Sequence, residues 1–163
     1  MDSVHKIATT AGEHVRFGRA LGTRRLLGSN STDAGFGLVE HDLPARQLGS
    51  PVHTHEREDE YSFVLSGQLT ALVGDSTVVA GPGELVVKPR RIPHAFWNVG
   101  SEPVRFLELI CPGGFEEYFF EMAGPLNARD MEAMAEIRNR YRLTVKPETI
   151  QELLERHGLE PAF

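Results

Sequence analysis

The sequence has little of what several classes of protein require. Cys111 is the only cysteine among 163 residues, so an internal disulfide and a cysteine-based zinc site are both excluded. No run of 18 apolar residues occurs, and residues 1–12 do not have the apolar core of a signal peptide. We therefore expect a protein of the reducing cytoplasm that does not engage a membrane.

Positive charge is also in deficit. The chain has 17 Lys and Arg against 23 Asp and Glu, a net charge of −6 at pH 7. Nucleic-acid binding requires a basic face, so this balance disfavours a nucleic-acid partner. The hydrophobic content of 40% and charged content of 25% are typical of a globular protein. The length suits one domain, which we expect to span residues 1–163.

The pattern of the chain changes near residue 111. Between residues 24 and 111, short apolar runs alternate with Gly, Pro, Asp and Ser turns, which is typical of a β-sandwich or barrel. We expect strands near residues 25–27, 35–42, 53–55, 61–65, 69–73, 77–80, 84–88, 95–99 and 104–110, with a further short strand near 14–17. The first part of the chain is therefore predicted to be a core of β-structure.

Residues 114–158 are predicted to form a helical tail. Apolar residues and one histidine recur there at helical spacing in three groups: Phe115, Tyr118, Phe119 and Met122; Met134, Ile137 and Tyr141; Ile150, Leu153, Leu154 and His157. Each apolar stripe needs a surface to cover. We expect packing against the β-core or a partner subunit, with a lid over a pocket as the alternative.

The stretch PVHTHEREDEY at residues 51–61 is the least ordinary part of the chain. His53 and His55 are two residues apart, so on an extended strand both imidazoles point to the same face, with Cα atoms about 7 Å apart. Two imidazoles placed in this way can converge on one ion at about 2.1 Å per bond. The pair therefore predicts half of a metal site.

The remaining ligands are predicted from the acids that follow and from a later histidine. Glu60 directly precedes an apolar strand, whereas Glu56, Glu58 and Asp59 suit a solvated loop because buried unpaired carboxylates are costly. His94 opens another strand. Three imidazoles and one carboxylate would leave two positions of an octahedral ion open to water or substrate.

Two spaced motifs connect these residues to a known family. The first reads His-X-His, four residues, Glu, six residues, Gly, and the second reads Gly, five residues, Pro, four residues, His, three residues, Asn. The eight positions are His53, His55, Glu60, Gly67, Gly83, Pro89, His94 and Asn98. This arrangement resembles the two motifs of the cupin superfamily over residues 35–110. The resemblance implies a mainly β fold, the cupin double-stranded β-helix or jelly-roll barrel, with a core at about residues 24–111.

Two positions depart from the family pattern. Gln47 stands where the first motif usually opens with Gly, and Arg91 stands where the second motif usually has Gly two residues after its Pro. Glycine tolerates a positive φ in that turn, so Arg91 predicts a different turn or modest strain. Neither departure touches a predicted ligand.

The resemblance also implies a chemistry. The metal ligands of the family fall on His53, His55, Glu60 and His94, and they imply one divalent metal ion. Iron is the expected metal; nickel, manganese, zinc, copper and cobalt are alternatives. Small cupins of this kind include quercetinase-like dioxygenases, in which the ligand Glu also acts as base, so Glu60 is the predicted catalytic residue.

We therefore expect a metal-dependent oxygenase that acts on a small organic molecule and forms a homodimer. Two alternatives stay open. One is a metal-dependent isomerase, decarboxylase or cyclase, and the other is a cupin that binds a small molecule without turnover.

Four further residues receive weaker predictions. His41 lies on a predicted strand and is expected to be structural or exposed, with cavity lining as the alternative. Cys111 is expected to be a small buried hydrophobe, Trp97 to lie in the core or an interface, and His157 to lie at the surface.

Overall fold

The computed structural model describes residues 8, 11–31 and 35–162 of the chain. In this part, ten strands come first: β1 (His14–Arg16), β2 (Gly22–Leu27), β3 (Gly37–Leu43), β4 (Leu48–His55), β5 (Asp59–Ser66), β6 (Leu69–Val73), β7 (Ser76–Ala80), β8 (Leu85–Lys88), β9 (His94–Trp97) and β10 (Val104–Cys111). The tail follows with α1 (Glu116–Ala128), α2 (Met131–Arg140), β11 (Leu143–Lys146) and α3 (Thr149–His157).

The strands form two antiparallel sheets that pack face to face. One sheet has the order β1-β2-β3-β10-β5-β8, and the other has the order β11-β4-β9-β6-β7. Side chains from both sheets share one apolar core, for example Val39 and Phe106 from the first and Ala71 and Phe96 from the second. The predicted mainly β fold with C-terminal helices is confirmed, although neither sheet of the described residues closes on itself as a barrel.

Alternation along the strands places the core. In β3, every second residue from Gly37 to Leu43 is buried, and in β10 Val104, Phe106 and Ile110 are fully buried. This period of two is what a strand with one face on a core requires. Cys111 falls on the opposite parity at the end of β10 and is exposed. The prediction of a buried thiol was therefore wrong.

The helical tail lies against the sheets. The residues of α1 that face inward are Tyr118, Phe119 and Met122, which join the main core cluster. Leu153 of α3 packs with Trp97 in a second, smaller cluster. The ring of His157 stacks on Trp97 at a centroid distance of 4.5 Å, so His157 is half-buried rather than a free surface residue as predicted.

The tail contains a strand that the sequence did not predict. β11 pairs antiparallel with β4, with Val145 opposite His53 and Leu143 opposite His55. Four residues between two helices are too few to show a clear alternation, so only the partner strand defines this element. β11 makes the tail part of the sheet that carries the two histidines.

Of the helices that the structure describes, none combines the length and the hydrophobicity that a membrane crossing requires.

Replacing Met122 by Ala tests how strongly the tail supports the core. Met122 is 1% exposed, so the substitution should lower the free energy of unfolding by about 2–5 kcal/mol through lost burial and a residual cavity. Met131 at the start of α2 is 66% exposed and provides the matched control, for which a change within about 0.5 kcal/mol is expected. Urea denaturation of both variants measures the difference, and equal stabilities would contradict the tail's role.

Candidate metal centre

Two strands of one sheet and one strand of the other bring the predicted ligands together. His53 and His55 lie on β4 and point to the same side, with His55 fully buried. His94 begins β9 directly opposite His53 in the antiparallel register. Glu60 lies near the start of β5 in the facing sheet and is 4% exposed.

The four side chains converge on a common point. One donor atom from each of them lies within 4.8 Å of the other three. His94 Nε2 is 3.2 Å from Glu60 Oε2, and His55 Nε2 is 3.5 Å from Glu60 Oε1. Bonds of about 2.1 Å to one ion would separate neighbouring donors by about 3 Å. The cluster of His53, His55, Glu60 and His94 could therefore hold a metal ion; that it does so stays a prediction.

Backbone carbonyls orient two of the imidazoles. His53 Nδ1 is 2.9 Å from the Pro51 carbonyl oxygen, and His94 Nδ1 is 3.0 Å from the Ile92 carbonyl oxygen. A carbonyl only accepts, so Nδ1 carries the proton in both rings and Nε2 keeps its lone pair. This is the usual outer arrangement of histidines that bind metals.

His55 provides a test of whether the residues fit an ion. Both of its ring nitrogens are buried, and neither has a hydrogen-bond partner among the described residues. A buried polar atom without a partner costs about 1–3 kcal/mol. Coordination through Nε2 would satisfy that atom, so the donor set fits a metal ion.

Glu58 lies on the other side of the same imidazole. Its Oε2 is 3.6 Å from His55 Nδ1, and the side chain is buried at 7% exposure. The sequence placed Glu58 in a solvated loop with Glu56 and Asp59, and for Glu58 that prediction was wrong. Glu56 is exposed, as predicted, and pairs with Arg142. Asp59 is half-buried at the start of β5 and pairs with Arg90, so the loop prediction was wrong for Asp59 as well.

Burial favours the neutral form of His53 and His94. Desolvation, reinforced by the neighbouring imidazoles, lowers the pKa of His53 well below its usual value. Desolvation also lowers the pKa of His94, and Lys88 acts in the same direction. Only neutral imidazole coordinates a metal, so proton competition at these two rings is weak at neutral pH.

A buried lysine connects the cluster to a second carboxylate. Lys88 Nζ is 3.0 Å from Glu60 Oε2 and 2.8 Å from Glu108 Oε2, and the Ser62 hydroxyl donates to the same Glu108 oxygen at 2.9 Å. Lys88 and Glu108 are each 1% exposed. Glu108 Oε1 is buried and has no hydrogen-bond partner in the part of the chain that the structure describes.

The two carboxyl groups bonded by Lys88 differ in pKa. Burial raises the pKa of Glu60, but attraction to the ammonium group of Lys88 opposes this effect, and the pKa lies well below its usual range. Burial and repulsion from Glu60 raise the pKa of Glu108 to about 7 against the opposing pull of Lys88. One carboxylate is therefore held ionised, while the other is poised to exchange a proton near neutral pH.

The sequence prediction missed Lys88 and Glu108, although each lies at an alternating strand position that predicts a buried side chain. Glu108 lies on the same face of β10 as Phe106 and Ile110, and Lys88 lies on the same face of β8 as Val86. A charged residue in phase with buried apolar ones points to a paired interior charge.

A cavity of about 420 Å³ opens beside the cluster. His53 and Glu60 line it, together with Glu108 and His41. His41 is 1% exposed, and its Nδ1 lies 2.9 Å from the Thr23 hydroxyl. It is therefore structural and lines the cavity as well, whereas the prediction of an exposed side chain was wrong. Aromatic rings form much of the remaining wall: Phe17, Phe96, Phe115, Tyr118 and Phe119.

The two departures from the family motifs have structural counterparts. Arg91 adopts a φ of 65°, as the missing glycine predicted, and its N–H donates to the His55 carbonyl oxygen at 2.7 Å. Gln47 is buried at 4% exposure and forms a bridge with Glu160 near the C-terminus. Gly49 lies where a Cβ atom would be 2.0 Å from the ring of Phe96, so a side chain there is excluded.

Comparison with known proteins agrees with this architecture. Residues 39–110 match the family described as Cupin domain, and this range contains all four clustered residues. A search of curated proteins gives no match.

Solved structures share the fold at low identity. KdgF from Halomonas sp. is 14% identical with a TM-score of 0.61, over 71% of this chain and 99% of that chain. A sugar phosphate isomerase from a cupin superfamily, from Silicibacter pomeroyi, is 24% identical with a TM-score of 0.55, over 65% and 74%. A predicted oxalate decarboxylase from Thermotoga maritima is 19% identical with a TM-score of 0.57, over 66% and 97%. The chain therefore has the cupin fold, and its cupin domain match contains the whole candidate metal cluster.

Proposed function

We propose that this chain is a metal-dependent enzyme that transforms a small organic molecule in the 420 Å³ cavity. One observation carries the proposal: His53 and Glu60 belong to the four-residue cluster and also line the cavity. An ion held there would be reachable by a bound molecule, whereas a structural metal site is closed by its ligands.

The chain's own residues have distinct roles in this proposal. His53, His55, Glu60 and His94 would hold one divalent ion, for which iron is proposed first, with nickel, manganese, zinc, copper and cobalt as alternatives. Such an ion supplies Lewis-acid or redox chemistry. Lys88 keeps Glu60 ionised, and the aromatic wall excludes water from an apolar substrate.

Metal content is the first measurement. Protein purified without oxygen should contain one divalent ion per chain by elemental analysis. In the His55→Ala variant the affinity for the metal should fall at least about tenfold, and the metal content should fall with it, because the variant loses a nitrogen ligand that has no other partner in the described structure. His14→Ala is the matched control, since His14 lies in β1 with its side chain 46% exposed and outside the cluster. Unchanged metal content in His55→Ala would contradict the ligand assignment.

An oxygenase is the activity that we propose first. Glu60 would then be both a ligand and the base that takes a proton from the substrate, as in the quercetinase-like dioxygenases that the motifs resemble. A carboxylate held between a lysine and a cation is a weak base until the substrate displaces it from one of them.

The Glu60→Gln variant tests this role. It keeps an oxygen atom and the side-chain size but loses the charge and the base. Oxygen-dependent turnover should fall by about a hundredfold or more, while the three histidines retain part of the metal. Candidate substrates are molecules recovered from the purified protein and identified by mass spectrometry. Equal rates with and without oxygen for the true substrate would rule out the oxygenase.

A redox-neutral enzyme is the second candidate, and Glu108 favours it. This carboxyl lines the cavity, has one oxygen free of hydrogen bonds among the described residues, and has a pKa raised to about 7 by burial. Such a group suits proton transfer in an isomerase, decarboxylase or cyclase. Two of the compared structures are named as an isomerase and a predicted decarboxylase.

The pH profile separates this candidate from the first. If Glu108 acts as base, turnover without oxygen should fall as the pH drops below a value at or under about 7, because protonation removes the base and a nearby cation favours the carboxylate. Glu108→Gln should lower the rate and remove that limb of the profile. A limb that persists in Glu108→Gln would exclude the role.

A protein that binds a small molecule without turnover is the remaining alternative. Such a protein would release a ligand that can be identified, yet it would show no reaction with that ligand in the presence or absence of oxygen. Homodimer formation stays a prediction, which light scattering at several concentrations tests.

A further inference from the structure

The cavity wall contributed by α2 contains a cation. Arg138 lies one turn after the buried Met134 and beside the buried Ile137, so it shares the inward side of the helix. It lines the same cavity as His53 and Glu60. The residue comes from the helical tail, outside the stretch that matches the cupin domain.

The charge of Arg138 is not neutralised within the described part of the chain. The carboxylates that line the cavity, Glu60 and Glu108, are both bonded to Lys88 instead. Arg138 Nε is buried and has no hydrogen-bond partner among the residues described. By contrast, Arg140 on the same helix pairs with Glu121 at 2.8 Å. A half-buried guanidinium with an idle donor is a ready partner for an anion.

The hydroxyl of Tyr118 is close enough to this guanidinium to be influenced by its charge. Burial raises the pKa of Tyr118, and the proximity of Arg138 opposes that effect. Tyr118 also lines the cavity. An oxyanion at this position could accept from the fork of Arg138 and from a phenolic O–H together.

Stacked rings connect this position to the candidate metal cluster. The Tyr118 ring stacks on Phe115 at a centroid distance of 4.7 Å, and Phe115 meets the His55 ring edge-on at 4.3 Å. Two successive ring contacts therefore separate the hydroxyl from a predicted metal ligand. A molecule with an apolar body of similar length could reach both ends of the cavity.

We propose that Arg138, assisted by the Tyr118 hydroxyl, binds a carboxylate group of the substrate while the substrate's apolar body lies along the aromatic wall. The proposal deepens the proposed function by naming the substrate class, an aromatic or aliphatic carboxylate. Recognition of the anion itself needs no metal, so it can be measured on metal-free protein.

A matched pair of probes tests the proposal. 2-Naphthoate and 2-naphthamide have nearly the same shape and differ in charge. In calorimetric titrations of chelator-treated protein, the affinity for naphthoate should exceed that for naphthamide by about tenfold or more. This ratio corresponds to the usual contribution of a hydrogen bond to a charged group. In Arg138→Gln the two affinities should agree within about twofold, while naphthamide binding stays near the wild-type value.

Three further variants complete the design. Arg140→Gln on the same helix should retain the full preference for naphthoate. Arg138→Lys should retain part of it, because the charge stays and the planar fork is lost, and this variant serves if Arg138→Gln melts much below the wild type. Tyr118→Phe should reduce the preference by a few fold, the effect of one hydrogen bond.

Each contrary outcome overturns the proposal without touching the metal assignment. Equal affinity for both probes in the wild type would show that no cation in the cavity selects an anion. An undiminished preference in Arg138→Gln, or in Arg138→Lys if Arg138→Gln is too unstable to measure, would assign the selection to another cation. A wild-type protein that binds no metal but still prefers naphthoate would instead contradict the proposed function alone.

Discussion

Lys88 provides the positive charge that allows two carboxylates to exist in the interior of this protein. An isolated carboxylate between two packed sheets would take up a proton rather than stay charged. The ammonium group sits between Glu60 and Glu108 and can stabilise only one of them fully. The unequal pKa values of the two carboxyl groups follow from this shortage. One lysine therefore decides both the charge of the candidate metal cluster and the protonation of the cavity wall.

The tail is more than an outer layer over the sheets. Phe115, the residue before α1, and Tyr118 of α1 line the cavity, and Arg138 lines it from α2. β11 hydrogen-bonds to the strand that carries His53 and His55. The tail therefore both packs against the sheets and covers the cavity. The same apolar residues are buried against the core and line the cavity wall.

Much of the fold and of the cluster could be predicted from the sequence because both depend on local spacing. The alternation of β3 and β10 and the two-residue interval of His53 and His55 are set by the geometry of a single strand. Glu58 and β11 were missed for the opposite reason. Their surroundings come from strands distant in the chain, so a charge that seems solvated in sequence is buried in the fold. The exposed Cys111 shows that the alternation of positions along a strand predicts burial better than the type of residue does.

The candidate donors and the candidate selectivity residues come from different stretches of the chain. All four clustered side chains lie within residues 39–110, whereas Phe115, Tyr118 and Arg138 follow them. A change in the tail can therefore reshape what the cavity accepts and leave the donor set intact. The pairing of β11 with β4 limits how far the tail can change, because a tail of different length must still provide a strand that pairs with the strand of His53 and His55. The candidate donors and the residues proposed for substrate selection therefore come from separate segments of the chain, which β11 and the packed helices of the tail hold together.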